Sequence, residues 1–336
     1  MASHNHQTTR PDLVERILLR DPPPGHLLSY LDDLFADCDS RDLYLARLLA
    51  GAKPQSCYLR QRRGKETLSL AWLGQHAICA ESETWLLDTL SGNGAASFIA
   101  NVRAAKEYIA EQGGQDLLVE YEPNGDGPDV CRATHQLGGK LVETETYYSI
   151  PIDRILEDGK QTFKKCEILK FETLEAHLNN VPIDSFYRFV SELYRDVPHA
   201  YRLSEFSLDF MRSYFPINHL SLENSFVGSH RGVIRAVFLI EGKSDHVSAS
   251  VVASLVDPKY RGLGIASHMR RLSAGRLAAQ GIVNLKALIQ DGNDKVAHFY
   301  RSHGAHEIGH RFYFKFSKII QKADINLNPE AHDLIK

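Results

Sequence analysis

The sequence predicts an α/β protein of the α+β kind, built as two domains of one design in tandem. Three observations carry this. At 336 residues the chain is too long for one ordinary small domain and comfortable for two. Short apolar runs alternate with amphipathic stretches and glycine turns, as strands and helices in turn would. The same order (strand, glycine loop, helix, strand, helix, glycine, strand) recurs in both halves in register. Ser91, Gly94 and Ala96 stand 170 positions before Arg261, Gly264 and Ala266, and Gly138 stands 166 before Gly304. The alternative is two unrelated α/β domains that share a common glycine turn.

Composition narrows the function classes. The apolar fraction is 43% and the charged fraction 24%, as in ordinary globular proteins. A formal charge of −3 gives no electrostatic case for nucleic acid. No apolar run approaches the length of a membrane span, and the polar segment Met1 to Arg10 lacks the apolar core of a signal peptide. These features lead to the expectation of a cytoplasmic protein. The five cysteines, Cys38, Cys57, Cys79, Cys131 and Cys166, are odd in number, widely spaced and free of any CxxC. They read as reduced core thiols rather than a disulfide framework or a zinc site.

Residues 11 to 50 read as helices, the first capped by Asp12 with Leu13, Ile17 and Leu18 on one face. Short strands follow around Tyr58, over Leu68 to Leu73 and over Trp85 to Leu87. Arg60, Arg62 and Arg63 read as a solvated sheet edge, where charge discourages pairing. A helix is expected from Ser97 to Gln112, a buried strand over Leu117 to Tyr121, a short helix from Pro128 to Leu137 and a strand from Leu141 to Ile150. The first domain thus covers residues 1–155 and the linker 156–165, with a turn at Asp158-Gly159-Lys160.

The second domain is expected over residues 166–318, before a polar tail at 319–336. It opens with a strand from Cys166 to Phe171. A helix from Ile183 to Tyr194 carries Phe186, Phe189, Val190 and Leu193 on one face, and a second, from Leu203 to Tyr214, is capped by Ser204. Strands follow at Ser221 to Val227, Gly232 to Glu241 and His246 to Val256. Then comes Leu255-Val256-Asp257-Pro258-Lys259-Tyr260-Arg261-Gly262-Leu263-Gly264-Ile265-Ala266, a strand end, a tight glycine loop and a helix start. Backbone N–H groups left unpaired at such a helix start point at one spot, and the helix dipole makes that spot suit a phosphate. Gly262 and Gly264 let a ligand approach the backbone, and Arg261 adds a forked cation. The loop has neither the third glycine of GxGxxG nor the Lys of a P-loop. The helix after it carries Ile265, Met269 and Leu272 on one face and ends at Gly281. A buried strand spans Leu285 to Ile289. Asn293 can cap the next helix, where Val296, Phe299, Tyr300 and His303 share a face before Gly304. A last strand alternates from Glu307 to Phe316.

The order Arg261, two residues, Gly264, one residue, Ala266 resembles the acyl-CoA pyrophosphate loop of the GCN5-related N-acetyltransferase (GNAT) family. The stretch Asn293 to Gly304, with an Asn near the helix start and Phe299-Tyr300 before a glycine, resembles the family's second motif. The resemblance runs from Cys166 to Lys318 and is most specific from His246 to Phe316. It implies two tandem domains, each a mixed, mostly antiparallel central sheet flanked by helices. The N-terminal copy would be degenerate, since Ser91 replaces the arginine and Thr134 stands in the place of Tyr300.

The family likeness further implies acyl-CoA-dependent N-acyl transfer, with acetyl-CoA or another acyl-CoA as cosubstrate and a small-molecule or peptide amine as acceptor. It calls for no metal, nucleic acid or membrane partner, and for a monomer or homodimer. Leu255, Val256, Arg261, Gly262, Leu263, Gly264, Ile265, Ala266 and Asn293 would hold the CoA. Val256 N–H would face the oxyanion of the tetrahedral intermediate, and Tyr300 would protonate the leaving thiolate. A phenol of pKa about 10 can share a proton with a thiol of about 8.5. For the base that deprotonates the amine, Asp257, Glu223, Asp291 and His246 are the candidates, beside ordered water. In the family, the connection between the two helices covers the acceptor; here it holds Arg195, Asp196, His199, Tyr201 and Arg202. His303, His306 and His310 cross a helix end and a strand with no acidic ligand close by, and read as surface histidines. Two other readings stay open: a non-catalytic acyl-CoA sensor or interaction module, and aminoacyl or peptidoglycan-precursor transfer. Mycothiol synthases have a similar tandem layout, but no residue here identifies that acceptor.

Overall fold

The structure, a computed structural model, describes residues 13–18, 56–63, 66–74, 84–92, 94–123, 126–157, 168–194, 208, 211–212, 215, 217–241, 247–317 and 319. They cluster into two compact units, the first of them not a continuous piece of chain. Among the described residues the first unit takes 13–18, 56–142 and 312–319, and the second takes 143–311.

The first unit is a sheet in the order β1 (Leu13–Leu18), β2 (Cys57–Arg63), β3 (Glu66–Gly74), β4 (Thr84–Gly92), β5 (Asp116–Tyr121) and the end of β12 (His306–Phe316). Among the described residues β4 and β5 pair in parallel within it, and β1–β2, β2–β3, β3–β4 and β5–β12 are antiparallel. Two helices, α1 (Gly94–Glu111) and α2 (Gly127–Gln136), join β4 to β5 and β5 to β6 (Lys140–Pro151). The i, i+4, i+7 stripe Phe98, Val102, Ala105 and Ile109 turns α1 onto the sheet. There it meets Leu59, Ala71, Leu73, Leu87, Leu117 and Val119. Phe314 and Phe316 of β12 are buried in the same core. Each large apolar side chain so buried stabilises the unit by about 1.5–3 kcal/mol.

The second unit has the order β12 (through Arg311), β6 (from Glu143), β11 (Asn284–Gln290), β10 (Ser248–Val256), β9 (Val233–Ile240), β8 (Phe226–His230) and β7 (Lys170–Thr173). β10 and β11 are parallel, and β11 pairs antiparallel with β6. Its helices are α3 (Ile152–Glu157), α4 (Leu174–Leu178), α5 (Ile183–Tyr194), α6 (Ile265–Ala279) and α7 (Asp294–Ser302). Ile265, Met269, Ala274 and Leu277 of α6 pack with Ile152 and Ile155 of α3 and with Ala236, Phe238 and Ala249 of the sheet. Phe186, Phe189, Val190 and Leu193 of α5 are buried, the face that their spacing predicts.

The two units repeat one plan. In both, a parallel pair brackets a helix, and glycines with positive φ recur in matching places. Gly94 and Gly264 (both φ 80) open α1 and α6, Gly113 (φ 75) and Gly281 (φ 84) follow those helices, and Gly138 (φ 77) and Gly304 (φ 80) follow α2 and α7. No helix among the described residues is long and apolar enough to cross a membrane.

Several expectations are corrected. Residues 13–18 form a strand, not a helix: six residues cannot hold a helix alone, and the ladder to β2 satisfies their backbone. Arg60 is no solvated edge, because β2 lies between β1 and β3; it is 7% exposed and bonds Glu15 through Nε at 3.1 Å and through Nη2. The strand expected from Ser221 begins at Phe226, after a turn. On α7 the buried residues are Ala297 and Tyr300, while Val296 faces outward. Ile152–Glu157 is a helix packed into the core. The readings on residues 21–50, Cys38, Cys79, Cys166, Ser204, His246 and the connection from Arg195 to Arg202 lie outside the described residues.

Candidate functional site

The site begins where two parallel strands part. The β10–β11 ladder runs from Ser248↔Asn284 to Val251↔Ala287 and stops, although β10 continues to Val256 and β11 to Gln290. A bulge against β9 between Val251 and Ala253 marks the point of divergence. Asp257 N–H donates to Arg235 O at 2.8 Å, so Asp257 turns its peptide edge toward β9. Antiparallel strands alternate these edges residue by residue. Leu255 therefore also faces β9, whereas Val256 and Ser254 present N–H and C=O on the side where β11 has moved away. An extended amide-bearing chain could pair there as an added strand.

This open edge leads straight into the loop. Asp257 caps the 3-10 turn Pro258–Tyr260, its side chain accepting from Lys259 N–H at 3.0 Å, and it takes Arg235 Nη1 at 2.9 Å. His230 Nδ1 lies 2.7 Å from the Tyr260 hydroxyl, and the Arg235 guanidinium sits 5.6 Å from the Tyr260 ring centre. The turn is thus pinned from two strands. Arg261 is exposed, and its Nε donates to Val256 O at 3.0 Å, which closes the loop back on the strand end. Gly262 (φ 77) and Gly264 (φ 80) hold conformations that a side chain would strain. The first helical bond of α6 is His268 N–H to Gly264 O at 2.9 Å. The N–H groups of Ile265, Ala266 and Ser267 precede it and point out of the helix start. Ile265 itself is buried, and Leu263 packs against the same core.

On the β11 wall, Tyr300 packs among Tyr148, Ala287, Ile289 and Ala297 and is 6% exposed. Ala287 ends the parallel ladder, so the phenol stands beside the parting. Burial pushes the Tyr300 hydroxyl above the ordinary phenol range, opposed by Arg270. Arg270 is itself buried, with its guanidinium 4.2 Å from the Phe299 ring centre and 5.8 Å from that of Tyr300. Asn293 is the N-cap of α7, but its side chain makes no capping bond; its carbonyl accepts from Val296 and Ala297.

The base candidates separate. Asp257 is committed to Arg235 and Lys259. Glu223 accepts from Gln280 at 3.0 Å, at the far end of α6, which at 15 residues spans about 22 Å. Asp291 accepts from Thr146 Oγ1 at 3.2 Å, beyond the end of β11. His310 Nδ1 lies 3.3 Å from the same Thr146 hydroxyl, while His303 Nδ1 lies 2.5 Å from Phe299 O. Among the described residues no three potential metal ligands converge. An open cleft of about 450 Å³ adjoins the loop, between α5 and the β8–β9 turn, lined by Arg188, Glu192, Val233, Arg235, Asp257 and Pro258.

Against known families, residues 175–305 match the model of the acetyltransferase (GNAT) family. This segment contains the parted strands, the loop and Tyr300. The GNAT fold also extends over the chain. A tandem GNAT protein from the clavulanic acid biosynthesis pathway aligns with 91% of this chain and 98% of its own, at TM-score 0.66 and 14% identity. A GCN5-related N-acetyltransferase from Sphaerobacter thermophilus aligns with 91% and 96%, at TM-score 0.59 and 14% identity. A GCN5-related glucosamine N-acetyltransferase region of a fungal multi-domain β-N-acetylglucosaminidase aligns with 91% of this chain and 38% of its own, at TM-score 0.59 and 12% identity. At such identities these likenesses establish a tandem GNAT fold. No curated protein matches in sequence.

Two residues of the GNAT domain escape a reading of the sequence. Ser254 shares the open edge with Val256, and alternation counted back from Asp257 would have found it. Arg270 lies under Phe299 and Tyr300, yet an arginine beside Met269 carries no signal that it turns inward.

Proposed function

We propose that the second unit is an acyl-CoA-dependent N-acyltransferase that moves acetyl from acetyl-CoA to a primary amine by direct attack. The observation that carries this reading is the continuity of the parted β10 edge with the loop Arg261 to Ala266. The loop amides and Arg261 hold the pyrophosphate, and Asn293 offers its uncommitted amide to the CoA. The pantetheine amides pair with Ser254, since Val256 O accepts from Arg261 and Val256 N–H faces the oxyanion. The amine nitrogen attacks the thioester carbonyl, a C–N bond forms, and negative charge gathers on oxygen near Val256 N–H. As the intermediate collapses the C–S bond breaks, and the thiolate takes the proton of Tyr300. Water accepts the proton of the amine, since the carboxylates weighed as bases are engaged or distant.

Acetyl-CoA and a panel of amines, read by thiol release, test this. The wild type should turn over. Arg261→Glu should lose binding at least tenfold, about what one charge-assisted hydrogen bond contributes. Equal thiol release by the wild type, Arg261→Glu and Tyr300→Phe would refute the assignment.

The burial of Tyr300 favours one second reading, a non-catalytic acyl-CoA sensor in which that phenol is core. It predicts CoA binding by calorimetry with no product.

A further inference from the structure

The first unit repeats the plan of the second, but its equivalent of the site is filled from within. α1 starts at Gly94, φ 80, as α6 starts behind Gly264, φ 80. No acidic side chain stands in the first turn of α1. One arrives from α2. Asp126 is the N-cap of α2, yet its side chain makes no bond to that helix. Its Oδ2 lies instead 3.8 Å from where a Cβ on Gly94 would stand, and it accepts the Tyr121 hydroxyl at 2.5 Å. Tyr121 is buried with its ring edge-on to Phe98, so this carboxylate is held from behind by the core. Burial, and then the bond to Asp126, push the Tyr121 phenol far above its ordinary range, so it stays a donor at any working pH. A carboxylate there meets the positive end of α1, as an anion would. In the second unit the same N-cap position holds the neutral Asn293.

The strand seam differs too. The β4–β5 ladder runs from Thr84↔Asp116 to Asp88↔Glu120, and β5 ends one residue later, at Tyr121. Thr89 Oγ1 donates to Glu120 O at 2.8 Å and carries the closure one step further. β4 itself runs on to Gly92, so beyond Thr89 its edge has no β5 strand beside it.

We infer that the first unit takes no acyl-CoA, because Asp126 stands at the start of α1, where a pyrophosphate would have to bind, so that the chain holds a single CoA site. The count of one rests on the proposed CoA loop at Arg261; the exclusion of the first unit does not. A second pyrophosphate would have to enter beside a fixed like charge.

The test titrates CoA into the full chain by calorimetry and maps the complex by hydrogen exchange. One CoA per chain is expected in the wild type, and none in Arg261→Glu at the same concentrations. Protection should appear at residues 261–268 and not at 94–97. Two CoA per chain, stoichiometric binding that survives in Arg261→Glu, or protection at 94–97 would overturn the inference. Should Arg261→Glu not fold, the wild-type stoichiometry and exchange map decide alone. No CoA binding at all would refute the proposed function while agreeing with a first unit that takes none.

Discussion

Tyr300, the proposed acid, is also a packed core side chain. Its ring fills the space between Ala287, Ile289 and Tyr148, and its hydroxyl is raised by burial. A phenol raised in this way stays protonated while an amine acceptor loses its proton, which is the state an acid needs. The wild-type rate should therefore rise with pH as the amine deprotonates and fall only above the ordinary phenol value of about 10. Tyr300→Phe keeps the packing, so its thermal unfolding should move little and KM should hold. Its kcat should drop by about 10²–10⁴-fold, and the alkaline limb should vanish. A limb that persists in Tyr300→Phe would assign it to another group. The sequence makes Tyr300 legible through the pattern Phe-Tyr before a glycine. It does not reveal how Tyr300 is held, because Arg270 reaches it from another helix. Asn293 is a similar case: its place as N-cap is written in the sequence, while the absence of a side-chain bond is decided by backbone angles (φ −87, ψ 54) that only the fold sets.

At the scale of elements, most strands of the second unit are legible, because glycine punctuation and apolar period agree there, but α3 and α4 are not foreseen and β8 starts at Phe226 rather than Ser221. The type of element is misread at β1. Leu13–Leu18 can be read as a helical face or as a strand, and only the partner β2, some 40 residues on by the Leu13↔Arg62 and Leu18↔Cys57 registers, decides between them. That pairing also explains Arg60. A cation on a central strand needs an anion brought to it, and β1 brings Glu15. The pair is unequal: the side chain of Arg60 is 9% exposed and that of Glu15 is 24%. Removing Glu15 strands the deeper charge, so Glu15→Ala should cost about 3 kcal/mol in urea unfolding. Arg60→Met removes the buried cation and keeps most of the volume, so it should cost less. The reverse order would show that the ion pair is not what binds β1 to the sheet.

For the whole molecule, the tandem repeat could be read from glycine spacing alone, but the sorting of strands into units could not. β12 alternates evenly from His306 to Phe316, with no mark at Arg311 where it passes from the second unit to the first. Only the contacts of Phe312 with Tyr121, and onward to Phe316 with Leu117, reveal its destination. Phe314→Ala should therefore cost about 3–5 kcal/mol in the first unit, although it lies near the other end of the chain. Exchange protection should be lost first in β5 and α1 and be retained in β9 and β10; loss in β9 and β10 instead would contradict the assignment of the strand. The lent strand has a bearing on synthesis. A chain emerging from the ribosome would present β1 to β5, α1 and α2 early, yet the edge of β5 would wait for nearly two hundred further residues to be made. During that delay an unpaired, apolar strand edge is exposed to any neighbouring chain. Completion of the first unit thus waits on the synthesis of β12 rather than on that of its own early strands, and a chain cut before β12 would fail first in β5 and α1.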